Sequence, residues 1–239
     1  MAPKIRVAIL DDHPSTVEGY VSRLTRSPGF EVVGTANFGD ELEPLLARNP
    51  ADVLLVDVGV QTGPENVNPY PLLHAIPQLL QMYPELRVLV ISMYTERALI
   101  RAVMDAGANG YVFKDDRIAN LELDSIVRAV ACGGVYLSQR ARQAMLHYRP
   151  AGGEPLLTPR QSEALSLAAA YPDSTEAELA RKLSVANSTL RNLLHNAYLR
   201  LNVSTRAAAV AKARHLGLIT PPDPEWHPEL VEQPDPLKP

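Results

Sequence analysis

The sequence predicts an α/β fold, a five-stranded doubly wound parallel sheet, followed by an all-α domain of four helices. Three observations predict it. Short β-rich runs alternate with amphipathic stretches through the first 137 residues, and the strand pattern then stops. The charge also changes sign between the halves. Residues 1–137 carry eleven Lys/Arg against seventeen Asp/Glu, whereas residues 158–219 carry eight against four. An acidic half and a basic half imply different partners, and only the second suits a polyanion.

In order, IRVAIL (5–10), FEVVGTA (30–36), DVLLVD (52–57), RVLVISM (87–93) and NGYVF (109–113) are the expected strands. Three are nearly continuous apolar runs, as parallel strands covered on both faces require. Amphipathic stretches near 14–27, 39–48, 70–83, 96–106 and 121–132 supply the intervening helices. Residues 138–157 begin as a helical extension and end as a Pro/Gly-rich linker. Thr158-Pro159 then signals a helix start, and helices follow at about 159–170, 175–183, 187–201 and 205–215. The tail 220–239 has seven prolines and an acidic balance, a composition expected to be disordered.

Composition narrows the class. The apolar fraction of 46 % is enough for a proper core. No run approaches the eighteen apolar residues of a membrane helix, and the short apolar N-terminus ends in two aspartates with no cleavage site. One cysteine, Cys132, excludes an internal disulfide framework and a cysteine metal cluster. A cytoplasmic protein without a membrane partner is expected.

In a doubly wound sheet the ligand site lies outside the carboxyl ends of the strands. That places Asp11, Asp12, Asp57, Ser92 and Lys114 together. Three carboxylates at adjacent strand ends repel unless a cation sits among them, and hard oxygen ligands suit Mg²⁺. A metal-bound carboxylate flanked by Lys114 can accept a phosphoryl group, with Ser92 offering a hydroxyl to the same phosphate. Taken singly, each aspartate is equally a helix N-cap; the constellation carries the reading. Tyr111 reads equally as a core aromatic.

Residues 1–137 resemble the receiver domain of bacterial two-component response regulators. VAILDDHP, LLVDV, VLVISMY and GANGYVFKDD are similar to its acidic motif, phosphoacceptor strand, switch-hydroxyl strand and lysine strand. The resemblance implies Asp57 as phosphoacceptor, Asp11 and Asp12 as Mg²⁺ ligands with the Gly59 carbonyl, Ser92 and Tyr111 as switch residues, and Lys114 as the phosphate contact. One departure is the segment from Gly59 to Pro71, about five residues longer than usual, with Gln61 where a proline normally falls. It borders the metal site and puts normal phosphorylation in question.

The stretch TEAELARKLSVANSTLRNLLHNAYLRLNV fits a helix-turn-helix, with an ordinary helical bundle bearing a solvated polar face as the alternative. Leu190, Leu194, Ala197, Tyr198 and Leu201 face inward at helical spacing. Ser188, Thr189, Arg191, Asn192, His195 and Asn196 remain outward, short donors and an arginine suited to base edges and phosphates. Ala186-Asn187-Ser188 supplies capping residues. Residues 156–219 resemble the LuxR/NarL-type DNA-binding domain, in which Thr189, Arg191, Asn192, His195 and Asn196 fall at DNA-contacting positions and Ala207–Ala213 lies in the dimerisation helix. Ser188 stands where a lysine is usual, Leu193 where a histidine is frequent, and Asn202 replaces the usual glycine, tolerably because Asn accepts a left-handed backbone.

The resemblance implies a transcriptional regulator rather than an enzyme, with a sensor histidine kinase and double-stranded DNA as partners and a homodimer when active. The alternative is a phosphate-independent regulator or adaptor. A hydrolase is disfavoured because Gly59, two residues past Asp57, offers no second carboxylate.

Overall fold

The computed structural model describes residues 3–146 and 155–221. Of the linker expected over 138–157, residues 147–154 lie outside the described residues, as does the expected tail from residue 222 onward. The chain opens with β1 (Ile5–Leu10), α1 (Pro14–Arg26), β2 (Phe30–Ala36), a 3-10 turn (Gly39–Glu41), α2 (Leu42–Arg48) and β3 (Val53–Val56). A hairpin of β4 (Gln61–Gly63) and β5 (Asn66–Pro69) follows, then α3 (Leu72–Met82), β6 (Arg87–Ser92), α4 (Arg97–Asp105) and β7 (Gly110–Phe113). After α5 (Arg117–Leu121), α6 (Leu123–Ala131), β8 (Tyr136–Leu137) and α7 (Gln139–Leu146), four helices finish the fold. These are α8 (Pro159–Ala170), α9 (Glu176–Lys182), α10 (Asn187–Leu201) and α11 (Arg206–His215).

The main sheet is parallel throughout, in the order β2-β1-β3-β6-β7-β8. It has six strands rather than five, because β8 adds a two-residue edge against β7. Side-chain alternation assigns the two faces. Val7, Ile9, Val53, Leu55, Leu89, Ile91 and Val112 face α1 and α6 through Tyr20, Leu24, Ile126 and Val127. Ala8, Leu10, Leu54, Val56, Val88, Val90, Tyr111 and Phe113 face the opposite side, and that core runs on without a break into the C-terminal helices through Leu165, Leu179, Leu190 and Ile219. The helix expected over 121–132 is α6, and a short helix not anticipated from the sequence, α5, precedes it, capped by Asp116, which accepts from the Ile118 and Ala119 amides.

The extra length after Asp57 forms the hairpin. Its strands pair across Pro64-Glu65, with Thr62 Oγ1 donating to the Asn68 carbonyl at 2.9 Å. Its base folds back on the 3-10 turn, where a Cβ on Gly39 would run into the Tyr70 ring and one on Gly63 would stand 2.5 Å from Asp40 Oδ2. Its tip reaches the C-terminal helices: Asn66 Nδ2 donates to the Ala170 carbonyl at 3.0 Å. Every residue of α8 from Gln161 to Ala170 is buried, so this helix is covered all round. One side meets α10 and α11; the other meets α3 and the hairpin.

Capping boxes begin α8 at Thr158 and α9 at Thr175, as alternating Thr-x-x-Gln and Thr-x-x-Glu spacing allows. The cap of α10 departs from expectation. Ala186 occupies it with no side-chain hydrogen bond, so Asn187 and Ser188 become the first helical residues and not the cap. Asn202 ends α10 in the left-handed region, φ 51°, as its residue type permits. Among the described residues no helix is long and apolar enough to cross a membrane.

Candidate functional site: an acidic pocket at the sheet switch point

After β1 the chain turns outward to β2; after β3 it proceeds the other way to β6. The carboxyl ends of β1 and β3 therefore flank the point where the strand order reverses, the usual crevice in such sheets. Ladder hydrogen bonds fix the site-bearing residues there. Asp57 N–H donates to the Leu10 carbonyl at 2.9 Å, Asp11 N–H to Ala36 at 3.1 Å, and Lys114 N–H to Ser92 at 2.9 Å.

These bonds bring the predicted side chains together. Lys114 Nζ lies 2.8 Å from Asp11 Oδ2 and 2.8 Å from Asp57 Oδ2, bridging the two strand ends. Asp11 and Asp57 are buried, whereas Asp12 is partly exposed beside them. Burial pushes the Asp57 carboxyl up from its ordinary range, and the Asp11 charge adds to that; Lys114 and a backbone bond from Gly59 oppose it. Burial would lower the Lys114 ammonium, but two carboxylates outweigh it and hold the group up. One cation against two buried anions leaves net negative charge for a further cation.

Asp11, Asp12, His13 and Asp57 each place a ligand atom within 4.8 Å of the others. The three carboxylates are hard oxygen donors and fit Mg²⁺. His13, expected as a surface or capping residue, stands at the cap of α1 without capping it; its Nδ1 instead lies 2.8 Å from Asp12 Oδ1.

Ser92 and Tyr111 are fully buried. The Tyr111 hydroxyl donates to the Tyr94 carbonyl at 2.8 Å and also interacts with the Ser92 side chain. Ser92 Oγ accepts from the Tyr94 amide at 3.1 Å. Tyr94, which sequence reasoning passed over, is thus bonded to both. Its ring also flanks Gly59: a Cβ there would stand 3.5 Å from Tyr94 Cε2 and 3.5 Å from Asp57 Oδ2. Its signal was its place two residues beyond Ser92.

On α10, Leu190, Leu194, Ala197 and Leu201 are buried. Ser188, Thr189, Arg191, Asn192, His195 and Asn196 are all exposed on the opposite face, so the docked receiver does not cover them. Arg191 Nε contacts Glu176 Oε2 at 3.1 Å.

A doubly wound sheet with a lysine-bridged aspartate pair at its switch point, joined to a helix-turn-helix, defines a response regulator. Residues 7–124 match the family model described as the response regulator receiver domain. The chain is 30 % identical over 225 residues to the DNA-binding transcriptional activator DevR/DosR of Mycobacterium tuberculosis, covering 91 % of this chain and 98 % of that protein. It is 28 % identical over 218 residues to the transcriptional regulatory protein MctR of Rhizobium johnstonii, covering 91 % and 97 %. Among solved structures, RcsB from Salmonella enterica serovar Typhimurium, bound to promoter rprA in the presence of phosphomimetic BeF3-, has a TM-score of 0.60 at 22 % identity. That likeness covers 87 % of this chain and 98 % of that one and concerns the fold. The chain belongs to the two-component response regulators of the LuxR/NarL type.

Proposed function

We propose that this protein is a DNA-binding transcriptional regulator whose output is gated by phosphorylation of Asp57. The observation that carries the reading is the Lys114 bridge between Asp11 and Asp57, at 2.8 Å to each. A carboxylate oxygen of Asp57 attacks phosphorus of a phosphohistidine on a sensor kinase, or of a small phosphodonor, and the donor's bond to phosphorus breaks. Lys114 then faces the transferred oxygens and offsets their charge. Mg²⁺, held by Asp11, Asp12, Asp57 and the Gly59 carbonyl, supplies further charge neutralisation when bound. Ser92 and Tyr111 respond to the new phosphate.

The exposed face of α10, with Ser188, Thr189, Arg191, Asn192, His195 and Asn196, is the DNA-reading surface, and the exposed side of the Ala207–Ala213 stretch, whose Ala209 and Ala213 are buried, is the surface that pairs two copies on DNA. The boundaries proposed are a receiver over 1–137, a linker over 138–157 and the DNA-binding domain over 158–219. Because α10 is already exposed, gating acts on how the DNA-binding domain is held and paired, not by uncovering its recognition helix.

Intact mass after acetyl phosphate treatment, for wild type and Asp57→Ala, tests the first step; DNA retardation with and without beryllofluoride tests the second. Uptake on wild type alone, with tighter DNA binding, is expected. Unmodified wild type with unchanged DNA affinity would favour a phosphate-independent regulator.

A further inference from the structure

The geometry points to Tyr94 as a positioning residue that couples the Asp57 pocket to the DNA-binding domain. The inference deepens the proposed function and rests on Asp57 being the phosphoacceptor. Three of Tyr94's hydrogen bonds lead in different directions. Its amide donates to Ser92 Oγ at 3.1 Å, and its carbonyl accepts from the Tyr111 hydroxyl at 2.8 Å. Its own hydroxyl donates to the Pro221 carbonyl at 3.3 Å, beyond the end of α11. One residue therefore touches both candidate switch side chains and the far domain.

The seam around it is close-packed. Gly217 has φ +64° and ends α11, with Leu218 N–H donating to the Ala213 carbonyl at 2.8 Å. A Cβ on Gly217 would stand 2.6 Å from Glu96 Cβ, two residues past Tyr94. Ile219 and Thr220 are then buried, and Tyr94 itself is only 6 % exposed. Among the described residues Arg214, on the last turn of α11, has Nε and Nη2 buried without a hydrogen-bond partner, as has Thr220 Oγ1. Such donors gain hydrogen bonds to water when the seam loosens locally, which offsets part of the cost of a small shift at this end of it.

The coupling follows from geometry. A phosphoryl oxygen on Asp57 draws the Ser92 hydroxyl toward it. Ser92 Oγ is the acceptor for Tyr94 N–H, so the Tyr94 backbone must follow or lose that bond. Either way the ring and its hydroxyl shift against Pro221, and the contact from Glu96 to Gly217 is disturbed.

Hydrogen exchange of the full chain, with and without beryllofluoride and Mg²⁺, tests this. In wild type the additive should protect the pocket strands and speed exchange over 214–220 by about two- to tenfold, the range of one net hydrogen bond. Tyr94→Phe keeps the ring and removes the hydroxyl that donates to Pro221. Its 214–220 amides should exchange fast already and respond no further. Gly217→Ala, which opens the seam from the other side, should give the same exchange pattern with α10 still protected, while acetyl phosphate still loads its Asp57 to the wild-type level by mass. If wild type shows pocket protection without change over 214–220, or Tyr94→Phe behaves as wild type in both states, the relay is overturned while Asp57 stands. If wild type neither loads nor responds, the phosphoacceptor reading fails and the relay with it.

Discussion

His74 of α3 and Glu163 of α8 meet across the domain seam, with Nδ1 and Oε1 2.9 Å apart and both residues buried. Arg160 Nη1 reaches the other oxygen, Glu163 Oε2, at 2.7 Å. The carboxylate is thus shared between its own helix and the receiver, and Asn66 of the hairpin bonds the C-terminal end of the same helix about two turns further on.

Removing one partner of a buried pair leaves the other uncompensated, at about 3–5 kcal/mol. Glu163→Gln should therefore lower stability by a sizeable part of that and let the domains separate, seen as a larger radius of gyration in solution scattering. His74→Ala should have the same sign. An unchanged radius for both variants would mean the apolar seam alone holds the domains.

The pair also sets a pH dependence. Burial would raise the Glu163 carboxyl, but hydrogen bonds from His74 and Arg160 and their charges hold it below its ordinary range. A carboxyl depressed on folding stabilises the folded state above its unfolded pKa, and the contribution disappears as pH falls through the folded value. Wild type should thus lose stability on acidification through and below the ordinary glutamate range more steeply than Glu163→Gln. Parallel thermal-melting curves against pH for the two proteins would refute it.

The hairpin should contribute through the Asn66 bond to α8. Asn66→Ala removes the donor to the Ala170 carbonyl and should cost about 0.5–1.5 kcal/mol. The loss should show as faster hydrogen exchange in the last turn of α8, with the melting of the receiver little changed. Gly39→Ala should do more, since its Cβ displaces the Tyr70 ring at the hairpin's base.

What was legible in the sequence follows from what periodicity can carry. β1, β3 and β6 were plain because four apolar residues in a row leave few alternatives. The hairpin was not, because Gln61–Gly63 and Asn66–Pro69 are too short and too polar for any alternation to register. β8 has two residues and no pattern at all. The juxtaposition of Asp11, Asp57 and Lys114 could be anticipated, since strand ends in a parallel sheet fall in one place. The partnership of His74 with Glu163 could not, because nothing local marks residues 89 positions apart. Its one trace was the run SLAAA in α8, small and uncharged on sides that a free helix would turn to water.

The Lys114 bridge predicts how the pocket answers to metal. Lys114→Ala leaves Asp11 and Asp57 buried without their ammonium, so in chelator the variant should melt below wild type. Mg²⁺ should recover part of that loss, since a ligand at a hundred times its Kd adds about 2.7 kcal/mol. Asp12→Ala in the same background should abolish the recovery. A melting temperature indifferent to Mg²⁺ in all three proteins would remove the carboxylates as a metal site.

Glu176 and Arg191 give the sharpest test of the DNA-reading face. The Glu176 carboxylate holds Arg191 Nε at 3.1 Å, but both are exposed, so the pair is worth about 0–1 kcal/mol. DNA must take Arg191 from Glu176 while bringing its own phosphates toward that carboxylate. Glu176→Gln frees the guanidinium and removes a repelling charge, and should tighten binding to double-stranded DNA at low salt. Arg191→Ala should weaken it by about 1–3 kcal/mol and, where the contact is to phosphate, reduce the salt slope by about one. The two substitutions therefore move affinity in opposite directions from one ion pair, which a solvated face with no DNA contact would not do. Equal affinity for wild type, Glu176→Gln and Arg191→Ala would take α10 off the DNA.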